Sequence, residues 1–147
     1  MTNTWVLVAH RGGARVFENK GPGKGLNLVD EFENPAGKLK NREIDSDKQG
    51  RAFDSRGAGR HAYQPEQLPT EHVAEQFAKH LSVVLDEARN HRRYARLVLV
   101  AEPRFLGNLR AALNTQTASL VSATVDKDLA TTEARDLPRF LESVLAV

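Results

Sequence analysis

Apolar positions recur along this chain with two different periods, and the change of period divides it. From Thr4 to His10 (TWVLVAH) the run is almost wholly apolar, and Ala14 to Glu18 (ARVFE) follows after Arg-Gly-Gly. Gly12 and Gly13 are able to take positive φ without Cβ strain, so a β-hairpin is expected. Past the turn signal NKGPGKG, the stretch LNLVDEF sets Leu26, Leu28 and Phe32 on one face with Asp30 among them, and predicts a third strand. The period then lapses from Asn34 to about Pro69. Over residues 69–94 it returns as a helical stripe of Val73, Phe77, Leu81, Val84, Leu85 and Ala88, with Thr70 as the expected N-cap and Glu71 in the first turn. Arg96 to Ala101 (RLVLVA) is a continuous apolar run, as a strand covered on both faces requires. Pro103 opens a second helix carrying Phe105, Leu106, Leu109 and Leu113. LVSATV is a fifth strand, and DLPRFLESVLAV a terminal helix with Asp136 as N-cap.

The resulting order, βββαβαβα, joins an antiparallel meander to parallel crossovers and implies a mixed sheet flanked by helices. That order is found in ribonuclease H-like folds, and the fold class expected is α/β of this kind. A length of 147 residues fits a single domain, 1–147, able to bury roughly 70% of its unfolded surface. Residues 35–69 are expected to form a long, mobile loop within it, and connections of such length are usually functional or disordered.

Composition narrows the chemistry. With 40% hydrophobic and 27% charged residues the chain has a globular balance. The absence of cysteine excludes disulfides, zinc-thiolate sites and thiol catalysis. No segment approaches the ~20 apolar residues of a membrane-spanning helix, and the opening lacks a signal-peptide pattern, so a cytoplasmic protein is expected. The 21 Lys and Arg against 19 Asp and Glu leave a net charge of +2, so affinity for nucleic acid has to come from local clustering.

The most conspicuous cluster is SRGAGRHAYQP with its upstream neighbours. Arg51, Arg56, Arg60 and His61 are opposed only by Asp54. Tyr63 adds a stacking ring, and Gly57 and Gly59 let the backbone approach a phosphate chain. RNA, or the ribosome, is the partner this pattern fits. A second basic run, RNHRRYAR from Arg89 to Arg96, is explained by its place at a helix C-terminus. Catalytic alternatives are thinner: His61 as acid/base with Asp30 or Glu102 in support, Glu102 standing at the C-terminal end of a strand where open α/β sheets place ligands. DSDKQGRAFDSR imitates a calcium loop but ends on Arg56 instead of Glu, and KGPGKG lacks the Ser or Thr and the helix of a phosphate loop. No metal or cofactor is implied.

WVLVAHRGGARVFE, KLKNREIDSDKQGRAFDSRGAGRHAY, EHVAEQFAKHL, RLVLVAEPRFLGNLRAAL and VDKDL, in that order, resemble the bacterial host attachment protein family. That family looks related to the middle domain of archaeal and eukaryotic peptide-chain release factors and of the rescue factor pelota. The resemblance implies a stand-alone, ribosome-associated or rescue-type factor. Gly57, Gly59 and Arg60 stand where the release factors carry a catalytic Gly-Gly-Gln, a tripeptide found nowhere in this sequence. His10 stands where members of the family often have an acid. Two other functions stay open beside RNA binding: a metal-dependent nuclease or esterase acting on a nucleotide-linked substrate, and a protein-interaction module in host attachment.

Overall fold

The computed structural model describes residues 3–38 and 69–147. Five strands form one sheet in the order β3-β2-β1-β4-β5, with β1 at Thr4–His10, β2 at Gly13–Asn19, β3 at Asn27–Glu33, β4 at Arg96–Val100 and β5 at Val121–Val125. β1 pairs antiparallel with β2 and parallel with β4; β2–β3 is antiparallel and β4–β5 parallel. The helices are α1 (Pro69–Asn90), α2 (Pro103–Ala112), the single turn α3 (Thr115–Ala118) and α4 (Leu137–Leu141). This is a mixed α/β architecture. The central strands are paired along both edges and covered on both faces, which is why they read as unbroken apolar runs.

Alternation along those strands divides the core in two. Trp5, Leu7 and Ala9 of β1 and Leu97, Leu99 and Ala101 of the β4 segment meet Phe77, Leu81 and Leu85 of α1 and Phe105 and Leu109 of α2. Val6, Val8, Phe17, Val98 and Val100 face the other way, onto Val125, Leu129, Leu137 and Leu141. Arg15 fastens the second layer: its Nη2 donates to the carbonyls of Leu129 (2.9 Å) and Ala130 (3.2 Å), and its guanidinium lies 5.3 Å from the centre of the Phe17 ring. α4 stops after five residues, so most of the predicted terminal helix is a looser tail. Asp136 precedes it but makes no capping bond with its side chain. α1 begins at Pro69, ahead of the expected cap at Thr70, and buries Ala74, Phe77, Ala78, Leu81, Leu85 and Ala88, leaving Val73 and Val84 half-covered.

Two local expectations are corrected. The hairpin turn forms, with His10 opposite Gly13, but neither Gly12 nor Gly13 has positive φ. Space at Gly13 is tight: a Cβ there would stand 3.0 Å from the Phe32 carbonyl of β3. β3 does not alternate as Leu26, Leu28, Phe32. A register shift at Val16/Phe17 pairs Val16 with Asp30 but Phe17 with Leu28, so Leu28 is 54% exposed while Val29 and Phe32 pack on the α1 side.

α1 ends at Asn90, short of the predicted Tyr94, in a reverse turn. Arg93 N–H donates to Ala88 O (3.0 Å) and Arg92 N–H to Arg89 O (2.9 Å), with Arg92 left-handed at φ 56°. That is a Schellman cap with arginine at the position where glycine is least strained. Tyr94 then turns inward, stacks with Trp5 at 5.0 Å between ring centres, and donates its hydroxyl to Leu85 O at 2.8 Å. Burial pushes its pKa up to about 12.

Asp86 ties α1 to the α2–α3 corner. Its Oδ1 accepts from Arg89 Nη2 (2.8 Å), Asn114 Nδ2 (2.9 Å) and Thr117 Oγ1 (3.2 Å). The Asn114 hydrogen bond, then that from Arg89, holds its pKa below the ordinary carboxylate value. A lowered pKa means this stabilisation is full above the unfolded pKa near 3.8 and is lost as pH falls through the folded one. Asp86→Asn is therefore expected to lower the urea midpoint at pH 7, with the gap to wild type narrowing below about pH 4. Urea titrations across that range check it.

Candidate functional site

Polar side chains collect where the parallel strands end. A cavity of about 720 Å³ opens at the C-terminal edge of β1 and β4. Among the described residues its wall comes from four places: His10 and Arg11 at the end of β1, Glu71, Ala74 and Glu75 in the first turns of α1, Glu102 with Arg104, Phe105 and Asn108 at the start of α2, and Asp128 after β5. The sheet forces this convergence. β1 and β4 are adjacent and parallel, so the segments leaving both emerge on one edge, and the helices that follow or face them begin there too.

Each group is held locally. His10 Nδ1 accepts the Gly12 N–H at 3.1 Å, which in the neutral ring leaves the proton on Nε2. Glu102 is the N-cap of α2, its Oε1 accepting from Phe105 N at 2.5 Å, and Pro103 occupies the first turn. Part of that carboxylate is thus committed to the helix. Arg104 lies 3.8 Å from Glu71, joining the first turns of α1 and α2 across the opening. Counted over the described residues, four carboxylates face two guanidiniums. A bare phosphate would be repelled more than attracted by such a wall. No three His, Asp or Glu side chains among the described residues come together as a metal-ligand set.

Of the sequence-predicted catalytic residues, Glu102 reaches this cavity and Asp30 does not. Asp30 is exposed on the edge strand β3, its Oδ1 accepting from Glu31 N–H at 2.9 Å. His61, together with Arg51, Arg56, Gly57, Gly59, Arg60 and Tyr63, lies outside the described residues. The described part breaks off at Lys38, next to the residue that Arg11 binds, and resumes at Pro69, two residues before Glu71 of the wall. Arg11 secures the first: its Nε donates to Gly37 O at 3.0 Å, and its own carbonyl accepts from Asn34 Nδ2 at 2.7 Å. The second leads directly into Glu71 and Glu75 of the wall.

Arg11, Glu75, Arg104, Asn108 and Asp128 were not singled out by sequence, and His10 and Glu71 were noted there without a place in a site. The signal that finds them is the strand-end rule applied to β1 as well as β4, followed into the helix N-termini that the topology places beside them.

Gly37 is the tightest point of the anchor, because a Cβ there would overlap the Arg11 carbonyl. Gly37→Ala is expected to cost about 1–3 kcal/mol in stability, as an overpacked site does. Chemical denaturation measures this, and an unchanged midpoint would show that the Arg11–Gly37 contact does not hold the rim.

A family model described as "Protein required for attachment to host cells" matches residues 5–141. No curated protein gives a significant match. A solved structure titled "Archaeal protein" is similar at 10% identity with a TM-score of 0.44, over 97% of this chain and 37% of that one. The chain therefore spans little more than a third of the length of that structure.

Proposed function

We propose, for a chain that belongs to the family of proteins required for attachment to host cells, an RNA- or ribosome-associated role resembling that of release and rescue factors. The observation that carries it is the placement of Gly37 and of the first turn of α1, which flank residues 39–68 in sequence, beside the cavity at the C-terminal end of the parallel strands. The cationic residues Arg51, Arg56, Arg60 and His61, with Tyr63, belong to that segment. The described part of the cavity wall is too acidic to hold phosphate by itself, so in this reading the contacts to RNA come from the cationic residues of the 39–68 segment. We read the fold as ribonuclease H-like, one domain over 1–147, and akin to the middle domain of release factors and pelota. The β3-β2-β1-β4-β5 order supports this. Without Gly-Gly-Gln, binding in place of peptidyl-tRNA hydrolysis is the function. The site of action in this reading is the cytoplasm, where ribosomes are. No described helix is long and apolar enough to cross a membrane.

Arg56→Ala with Arg60→Ala is expected to weaken binding to ribosomes or single-stranded RNA. The slope of log affinity against log salt should fall by roughly 0.7 for each phosphate no longer neutralised. Co-sedimentation at several salt concentrations reads this, and an unaltered profile would remove the segment from the interface.

A second reading has one observation in its favour: His10 shares the cavity with Glu75, Glu102 and Asp128, an acid/base set for hydrolysing a nucleotide-linked ester. It predicts turnover of RNA or peptidyl-tRNA, with or without Mg²⁺ or Mn²⁺, that falls at least about tenfold in His10→Ala. Absence of any cleavage by the wild-type protein eliminates it.

A further inference from the structure

The edge of the sheet opposite the cavity carries its own cationic surface. α1 ends there and β1 and β4 begin there, and His91, Arg92, Arg93 and Arg96 are all exposed within this corner. Arg89 is already committed to Asp86 at 2.8 Å. The guanidiniums of Arg92, Arg93 and Arg96 form no ion pair with a described carboxylate. The acids nearby are Glu18, whose Oε2 accepts from Asn3 Nδ2 at 2.8 Å, and Glu87, one turn back on α1. The backbone that presents the arginines is firmly held: Asn3 O accepts the N–H groups of Ala95 (3.0 Å) and Arg96 (3.3 Å), and Asn3 Nδ2 donates to Arg93 O at 2.7 Å. Arg93 covers the Trp5 ring at 5.1 Å.

We infer that Arg92, Arg93 and Arg96 form a second phosphate-contacting surface for RNA, at the N-terminal edge of β1 and β4. This rests on the RNA-associated reading and adds a contact roughly 20 Å from the cavity, the length of a seven-residue strand. Three features select a polyanion strand over other occupants. All three cations are arginines, whose planar fork matches phosphate oxygens in pairs. Trp5 and Tyr94 beneath them are buried, so the corner presents no aromatic anchor of the kind that dominates protein interfaces. Among the described residues the exposed large hydrophobics are Leu28, Val83 and Phe140, on β3, mid-α1 and α4, so the described corner carries no apolar wedge for a bilayer. Arg92 also occupies the one left-handed non-glycine position among the described residues, where its charge is carried at a cost in backbone strain.

The test uses the full chain, a fluorescein-labelled 20-nucleotide single-stranded RNA, and affinity measured at several salt concentrations. Arg92→Gln/Arg93→Gln/Arg96→Gln is expected to reduce the salt slope by about 2, on top of the loss in the Arg56/Arg60 pair. Arg92→Gly supplies a variant whose folding is not at risk: relief of the left-handed strain should hold or raise Tm, while the slope falls by about 0.7. Wild-type RNA affinity that drops in the Arg56/Arg60 variant but is unaltered in both edge variants overturns this inference alone. No RNA binding by the wild-type protein overturns both it and the RNA-associated reading. Binding to heparin or phosphatidylserine vesicles with none to RNA has the same meaning and reassigns the corner.

Discussion

Covering β1 and β4 on both faces is the constraint from which the rest of the structure follows. A strand buried on both sides has no water to satisfy its amides, so every N–H and C=O must find a neighbouring strand. β1 finds β2 on one edge and β4 on the other, and β4 finds β1 and β5. Once those pairings exist, polar chemistry is excluded from the middle of the molecule and pushed to the two ends of the parallel strands. One end gathers His10, Arg11, Glu102 and the first turns of α1 and α2; the other gathers the exposed arginines after α1.

The parts visible in the sequence are those under this constraint. Apolar runs at 4–10 and 96–101 announced strands with two covered faces, and the stripe through Phe77, Leu81, Leu85 and Ala88 announced a helix with one. β3 was misread in detail because it is an edge strand that carries a bulge: Val29 is the extra residue opposite Val16/Phe17, which exposes Leu28 and seats Val29, and no local pattern records it. Gly13 was noticed for the wrong reason, since its role depends on a carbonyl 19 residues away in Phe32. The cavity was half legible. Glu102 follows from its strand end, whereas Arg11, Arg104 and Asp128 acquire a common location only through the pairing of β1 with β4 and of β4 with β5.

Family membership over residues 5–141 names a phenotype, attachment to host cells, and not a mechanism. The doubly covered sheet carries charged side chains at both ends of its parallel strands. At the C-terminal end of the parallel strands the described wall is acid-rich and partly self-paired through Arg104 and Glu71, and Arg11 of that wall holds the Gly37 carbonyl. At the opposite edge the exposed guanidiniums of Arg92, Arg93 and Arg96 present positive charge without an apolar surface.

Ultraviolet crosslinking of the full-length protein to RNA in solution, with the crosslinked residues identified by mass spectrometry, probes this division most directly. Crosslinks should fall between Arg51 and Tyr63 and around Arg92 to Arg96, leaving the layer of Leu137 and Leu141 unmarked. Crosslinks confined to that layer, or none to RNA at all, would contradict it.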